Sequence, residues 1–284
     1  MIRLCAFSDE YNSDLDKQIE GLGRCNISLM EIRTVNGKNI ADIDVDLAVE
    51  YRRKLDANGI SVWSIGSPIG KVDIEEDFEE YLKKVHHVCA LANIFGTKRV
   101  RMFSFYNAYG KGELVMERLR KMVDVAAMYD VVLCHENEKE IYGDTIERVL
   151  EIRDKVPGLN FVYDPANFVQ CKQDCGEAIN KLYSFTDYFH IKDVDSSEQL
   201  VPSGYGEGRL RELVQKIDRD TVLTLEPHLR IFDGFGSIDN TDMKHRFTYR
   251  TNEEAFMAAY DALKALLLEC GYTECNGAYT KQDK

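Results

Sequence analysis

Two kinds of apolar pattern alternate along the chain. Short runs of β-branched and aromatic residues are separated by longer stretches in which apolar positions recur every third or fourth residue. The short runs are IRLCAF (2–7), ISLMEIR (27–33), ISVWSI (60–65), RVRMFSF (99–105), VVLCHE (131–136), NFVYD (160–164), YFHIKD (188–193) and TVLTLE (221–226), and they predict eight strands. The longer stretches, 13–22, 44–58, 74–95, 112–129, 143–155, 174–184, 208–218 and 252–269, predict eight helices. In the last of these, Phe256, Ala259, Leu263, Leu266 and Leu267 form one stripe behind an acidic first turn. Eight strands alternating with eight helices in 284 residues specify an α/β fold, a single (β/α)8 barrel, better than an open sheet. An open doubly wound sheet would carry a Gly-rich phosphate turn after its first strand, and AFSDEYNS has none. No Pro-rich or low-complexity linker divides the chain, so the barrel is expected over residues 1–270, with 271–284 as a loose polar tail.

In such a barrel the active site sits where strands pass into βα loops, and side chains two apart share a face. The inward faces then carry Val132, Cys134 and Glu136 on the fifth strand and Val162 and Asp164 on the sixth. On the seventh they carry Tyr188, His190 and Lys192, and on the eighth Val222, Thr224 and Glu226. The opposite faces are large and apolar, as a helix-covered exterior requires. Four consecutive strands thus end in Glu136, Asp164, His190 and Glu226, all aimed at one mouth. At close range each like-charge contact costs on the order of 1–4 kcal/mol. A divalent cation relieves this better than protonation, and one imidazole among carboxylates makes a mixed N/O donor set. Taken singly, Asp164 before Pro165 is a turn residue or helix cap, and His190 a core histidine. Glu31 and Arg33 end the second strand on its inward face, as outer contacts or substrate contacts. Arg101 is inward on the fourth, and His228 shares the parity of Glu226. His135 points the other way, and His86 and His87 lie in an amphipathic helix, so these three are structural.

At this point the residues resemble the xylose isomerase-like TIM-barrel superfamily, the sugar phosphate isomerases and epimerases. The resemblance rests on HEN (135–137), YDPAN (163–167), HIKD (190–193), GEG (206–208) and LEPH (225–228), with SIGSPIGK (64–71), in order over residues 2–270. It implies one divalent metal on Glu136, Asp164, His190 and Glu226: manganese first, with magnesium, cobalt and zinc left open. It also implies that Glu136 and Glu226 are the catalytic acid/base pair of a sugar isomerase or epimerase acting on a small ketose through an enediolate. Glu31, Arg33, Arg101, Asn167, Lys192 and His228 are the expected substrate contacts. Where the epimerase branch has a histidine three residues after the strand-six aspartate, this chain has Asn167; where it has His-x-His, this chain has His190-Ile191-Lys192. These departures lean towards inosose dehydratase-like relatives. Lys192 and Asp193 could otherwise form a simple loop ion pair.

Charge and composition narrow the alternatives. A formal net charge of −13 and only six histidines argue against nucleic acid as partner, and so against the apurinic-site endonucleases of the same fold, which use three metals and many more histidines. A sugar-binding barrel without turnover would leave the inward carboxylates as a standing cost. The eight cysteines form no CxxC pair and are expected as reduced thiols, with a zinc cluster the outside alternative. The N-terminus lacks a signal-peptide pattern and no apolar run is long enough to span a bilayer, so a cytoplasmic protein without membrane contact is expected. The long segment 230–250, with Gly234 and Gly236, is expected as a lid or an arm at a homo-oligomer interface.

Overall fold

A computed structural model of the chain describes residues 1–232 and 244–281. Eight parallel strands close into a barrel: β1 (Ile2–Ala6), β2 (Leu29–Ile32), β3 (Ser61–Ile65), β4 (Arg99–Met102), β5 (Val132–Glu136), β6 (Asn160–Tyr163), β7 (Thr186–Ile191) and β8 (Thr221–Leu225). Neighbours in sequence are neighbours in the sheet, and β8 closes on β1 with Ile2 opposite Thr221 and Ala6 opposite Leu225. The fold is a TIM barrel. Its helices are α1 (Leu15–Arg24), α2 (Val45–Ala57), α3 (Phe78–Phe95), α4 (Gly112–Ala127), α5 (Ile146–Lys155), α6 (Pro165–Gln170), α7 (Cys175–Leu182), α8 (Leu210–Lys216) and α9 (Asn252–Glu269). Most start on a side-chain cap: Asp14, Asp44, Asp77, Thr145, Asp174 and Thr251 each accept from an amide in the first turn. The outer strand faces pack under this helical shell in one large apolar core that includes Leu133, Phe161, Phe189, Leu223, Phe256 and Leu263.

Every expected strand is present; seven are shortened by up to three residues, and β7 is shifted two residues towards the N-terminus, Thr186–Ile191 against the expected 188–193. Three small hairpins lie outside the expected pattern: Thr34–Val35 with Lys38–Asn39, Asp193–Val194 with Leu200–Val201, and Tyr272–Cys275 with Ala278–Lys281. The last corrects the expectation of a loose tail. The edge of β1 is open at Ile2 and Arg3, because β2 begins pairing only at Cys5. There the chain adds Tyr279 opposite Ile2 and Ala278 opposite Arg3, burying Tyr272 and Tyr279. α6 is a further addition, a short helix capped by Asp164 with Pro165 in its first turn. All eight cysteines are free. Among the described residues no helix is long and apolar enough to cross a membrane. Gly234 and Gly236 of the expected lid lie outside the described residues.

Candidate functional site

Strand alternation delivers Glu136, Asp164, His190 and Glu226 to one end of the barrel. Each is at most 2% exposed, and one ligand atom from each lies within 4.8 Å of all the others. His190 is clamped between acids. Its Nδ1 lies 3.0 Å from Glu136 Oε1 and 3.1 Å from Glu226 Oε2, while Nε2 lies 3.1 Å from Glu31 Oε2. Burial pulls the His190 imidazole down, but Glu136, Glu31 and Glu226 outweigh it and hold its pKa well above the usual histidine value. Asp164 does two things at once. Its Oδ1 accepts the Asn167 amide at 3.0 Å and caps α6, while Oδ2 faces the cluster 2.8 Å from Lys192 Nζ. Burial pushes Asp164 up to about 7 against the pull of Lys192. Glu226 is also pushed up by burial, yet Lys192 and His190 bring it well below the ordinary carboxylate range.

The cations are set among these acids. Arg101 Nη1 lies 3.2 Å from Glu136 Oε2 and 3.7 Å from Glu226 Oε1, and Nη2 donates to the Gly66 carbonyl at 3.2 Å. Lys192 reaches Asp164 rather than its neighbour Asp193, so the simple loop pair does not form. Asn167 donates to the Asn137 carbonyl at 2.9 Å and approaches Glu136 Oε1 at 3.5 Å. Two expected substrate contacts are turned into the protein instead. Glu31 sits behind His190 and accepts from Tyr188 at 2.7 Å, from Thr224 at 3.1 Å and from His190. Arg33 is fully enclosed, lying over the Phe7 ring at 4.1 Å. It grips Asp9 through Nε (2.9 Å) and Nη2 (3.0 Å), Glu10 through Nη2 (3.1 Å) and Glu226 through Nη1 (2.8 Å), with His228 Nε2 at 3.4 Å. Its N–H groups are therefore engaged within the chain. His228, at a positive φ of 47°, gives its amide to Glu10 Oε2 at 2.7 Å, which ties the turn after β8 to the turn after β1. Burial pushes Glu10 up to about 8; Arg33 pulls it down, and Glu226 and Asp9 push it up.

Asp9 and Glu10 were not expected from the sequence. They lie in a single 3-10 turn at Ser8–Glu10, outside any strand, where parity gives no direction. The signal that was available is their place directly after β1, where a βα loop of a barrel starts. His135 is buried and outward, 2.9 Å from Ser104 Oγ, as expected for a structural histidine. His86 and His87, on α3, bond the Tyr129 hydroxyl just past α4 and the Ile43 carbonyl just before α2.

The donor set fits a divalent cation. Six buried carboxylates (Asp9, Glu10, Glu31, Glu136, Asp164, Glu226) face three permanent cations (Arg33, Arg101, Lys192). Asp164 Oδ2 and Glu226 Oε2, one from each of two strand ends, are buried without a well-formed hydrogen bond although cationic groups lie near them. Two carboxylate oxygens turned inward beside an imidazole nitrogen are what an oxygen-rich metal site presents. Neither candidate metal-binding group among the described residues includes a cysteine. A second such group, Glu10, Glu226 and His228, has the Arg33 guanidinium against all three members.

Known proteins place this architecture. The sequence is 23% identical over 137 residues to a 3-dehydroshikimate dehydratase from Bacillus anthracis; the match spans 45% of this chain and 49% of that protein. The fold superposes on a D-psicose 3-epimerase solved in the presence of D-fructose, with TM-score 0.73 and 16% identity, over 95% of this chain and 99% of the other. It also superposes on the IOLI protein solved with a zinc atom, with TM-score 0.71 and 17% identity, over 94% and 98% of the two chains. The sequence profile of the family described as xylose isomerase-like TIM barrel matches residues 24–258, a span that takes in β2 to β8 and every residue of the buried quartet. The chain therefore belongs to the xylose isomerase-like TIM barrel family.

Proposed function

We propose that the chain is a divalent-metal-dependent sugar isomerase or epimerase that moves a proton at the carbon beside the carbonyl of a small polyhydroxylated substrate, through an enediolate. The observation that carries this reading is the convergence of Glu136, Asp164, His190 and Glu226 within 4.8 Å at the barrel mouth. These four side chains would hold the ion, manganese by preference. When bound, the ion supplies Lewis acidity that polarises a carbonyl and acidifies the neighbouring C–H.

The protein groups divide the remaining work. Glu136 and Glu226 end strands separated by two others, and they take and return the proton from different sides. Glu31 fixes the His190 ring through Nε2 and leaves Nδ1 facing the quartet. Arg33 fixes Glu226 through Oε1, so Oε2 alone faces inward. Arg101 and Lys192 stabilise negative charge that develops on substrate oxygen, and Asn167 offers an amide to a hydroxyl.

Dehydration is the second reading. It is favoured by Asn167 and Lys192, which stand where the epimerase pattern has histidines, and by the dehydratase among the similar proteins. Removal of a β-hydroxyl would follow the same proton abstraction, with Lys192 near the departing oxygen. A panel of ketoses, inososes and sugar phosphates in D2O with Mn²⁺ separates the readings. Isomerisation or epimerisation returns substrate-sized product carrying deuterium at carbon, and dehydration yields an enone-type product short of one water. Glu226→Gln should abolish exchange while the protein stays folded. Persistent exchange in that variant overturns the acid/base assignment.

A further inference from the structure

The loop after β7 closes around a single carboxylate. Asp193 follows Lys192 directly, but by strand alternation it points away from the barrel axis. Its side chain is almost wholly buried, and four backbone amides converge on it. Gly204 and Gly206 donate to Oδ2 at 2.9 and 3.0 Å, and Val194 and Gly208 donate to Oδ1 at 3.0 Å. Among the described residues no lysine or arginine pairs with it, so backbone dipoles hold the charge. The glycines are required by the closeness of the fit. A Cβ at Gly206 would sit 2.3 Å from Asp193 Oδ1, and one at Gly208 would sit 2.8 Å from it. Gly208 also abuts Pro165, next to Asp164.

Amides from Val194 and from every second residue of the 204–208 loop, all turned onto one carboxylate, make an anion nest comparable to the backbone cradles that hold phosphate in many enzymes. The loops after strands seven and eight are where barrels often build a phosphate seat. We propose that the Gly204–Gly208 nest is filled from within: Asp193 is a resident anion that takes the place a substrate phosphate could hold and locks the loop against the end of β6. The substrate of this site is then an unphosphorylated polyol, a consequence that rests on the proposed sugar chemistry; the nest itself does not.

The test removes the resident anion from the full chain. In wild type, the amides of Gly204, Gly206 and Gly208 exchange slowly with solvent deuterium, and inorganic phosphate changes nothing. In Asp193→Gly the same amides exchange faster by roughly tenfold or more. Added formate, a carboxylate head alone, or inorganic phosphate restores their protection. Unchanged exchange in the variant, or failure of both anions to restore it, overturns the nest. Should Asp193→Gly not fold, Asp193→Asn keeps the volume but turns an NH2 towards two of the donors; faster exchange of one pair of amides supports the nest, and unchanged exchange overturns it. For the substrate, deuterium incorporation by wild type with Mn²⁺ should favour unphosphorylated polyols over their phosphate esters. A preference for the esters overturns the substrate assignment. Exchange into neither class falls on the proposed function, and the amide experiment still decides the nest.

Discussion

The barrel interior has two halves that share strands and differ in everything else. The floor is an apolar cluster of Cys5, Leu29, Cys134, Val162, Tyr188 and Val222, with Trp63 packed against it. The mouth is Glu31, Glu136, Asp164, His190 and Glu226 with their cations. Leu29 and Glu31, Cys134 and Glu136, Val162 and Asp164, and Tyr188 and His190 are each two residues apart, about 7 Å along a strand. Within one pleat the lining passes from mainly apolar to mainly charged. Tyr188 spans the boundary: its ring lies in the floor, and its hydroxyl donates to Glu31 at 2.7 Å. The lesson is that burial alone does not set chemistry. The floor stabilises by packing, whereas the mouth collects charge that only counter-ions offset, so substitutions two residues apart should have opposite consequences.

The largest contrast comes from Glu136→Gln against Val222→Ala. Glu136→Gln should lower proton exchange into substrate by ~10²–10⁴-fold. It removes one acid from a surplus, so metal-free stability by urea titration should change by less than ~1 kcal/mol. Retained exchange with a large stability loss would erase the distinction between the halves. Val222→Ala should do the reverse, costing about 2 kcal/mol through lost burial and a small cavity, with kcat/KM essentially unchanged. Tyr188→Phe tests the boundary. It removes one buried donor from Glu31, so about 1 kcal/mol of stability should go, and metal affinity should fall several-fold as Glu31, the partner of the His190 ring, loses one of its anchors. The smallest effect concerns thiols. Burial holds the Cys5 and Cys134 thiols of the floor well above their ordinary pKa, whereas Cys275 is exposed. Mass spectrometry after brief alkylation should find Cys275 modified first, with no loss of stability; early labelling of Cys134 would show an open floor.

The barrel could be seen in the sequence because its strands are short apolar runs and its helices carry a clean period, and the inward quartet followed from parity alone. What escaped notice did so for identifiable reasons. The hairpins around Asn36-Gly37 and Asn276-Gly277 are turns in which both residues have positive φ, and Asn-Gly is the strongest short hairpin signal. Charged, short flanks masked both signals. Asp164 is open to two readings in the sequence, helix cap and metal ligand; it caps α6 with Oδ1 and turns Oδ2 towards Lys192 and the other three members of the quartet. Parity placed Arg33 and Glu31 on the inward face but could not show their partners. Those depend on Asp9 and Glu10, in a turn without period, and on Tyr188 and Thr224 from across the barrel.

Every role proposed for the mouth depends on its seating one divalent cation. Calorimetric titration of metal-stripped protein with Mn²⁺ tests it directly, with Asp164→Asn as the control. One ion per chain should bind wild type and raise its Tm as mass action requires. In Asp164→Asn the affinity should fall by more than the ~10–100-fold that loss of an outer partner typically costs. No binding by wild type to Mn²⁺, Mg²⁺, Co²⁺ or Zn²⁺, or binding undiminished in Asp164→Asn, would contradict it.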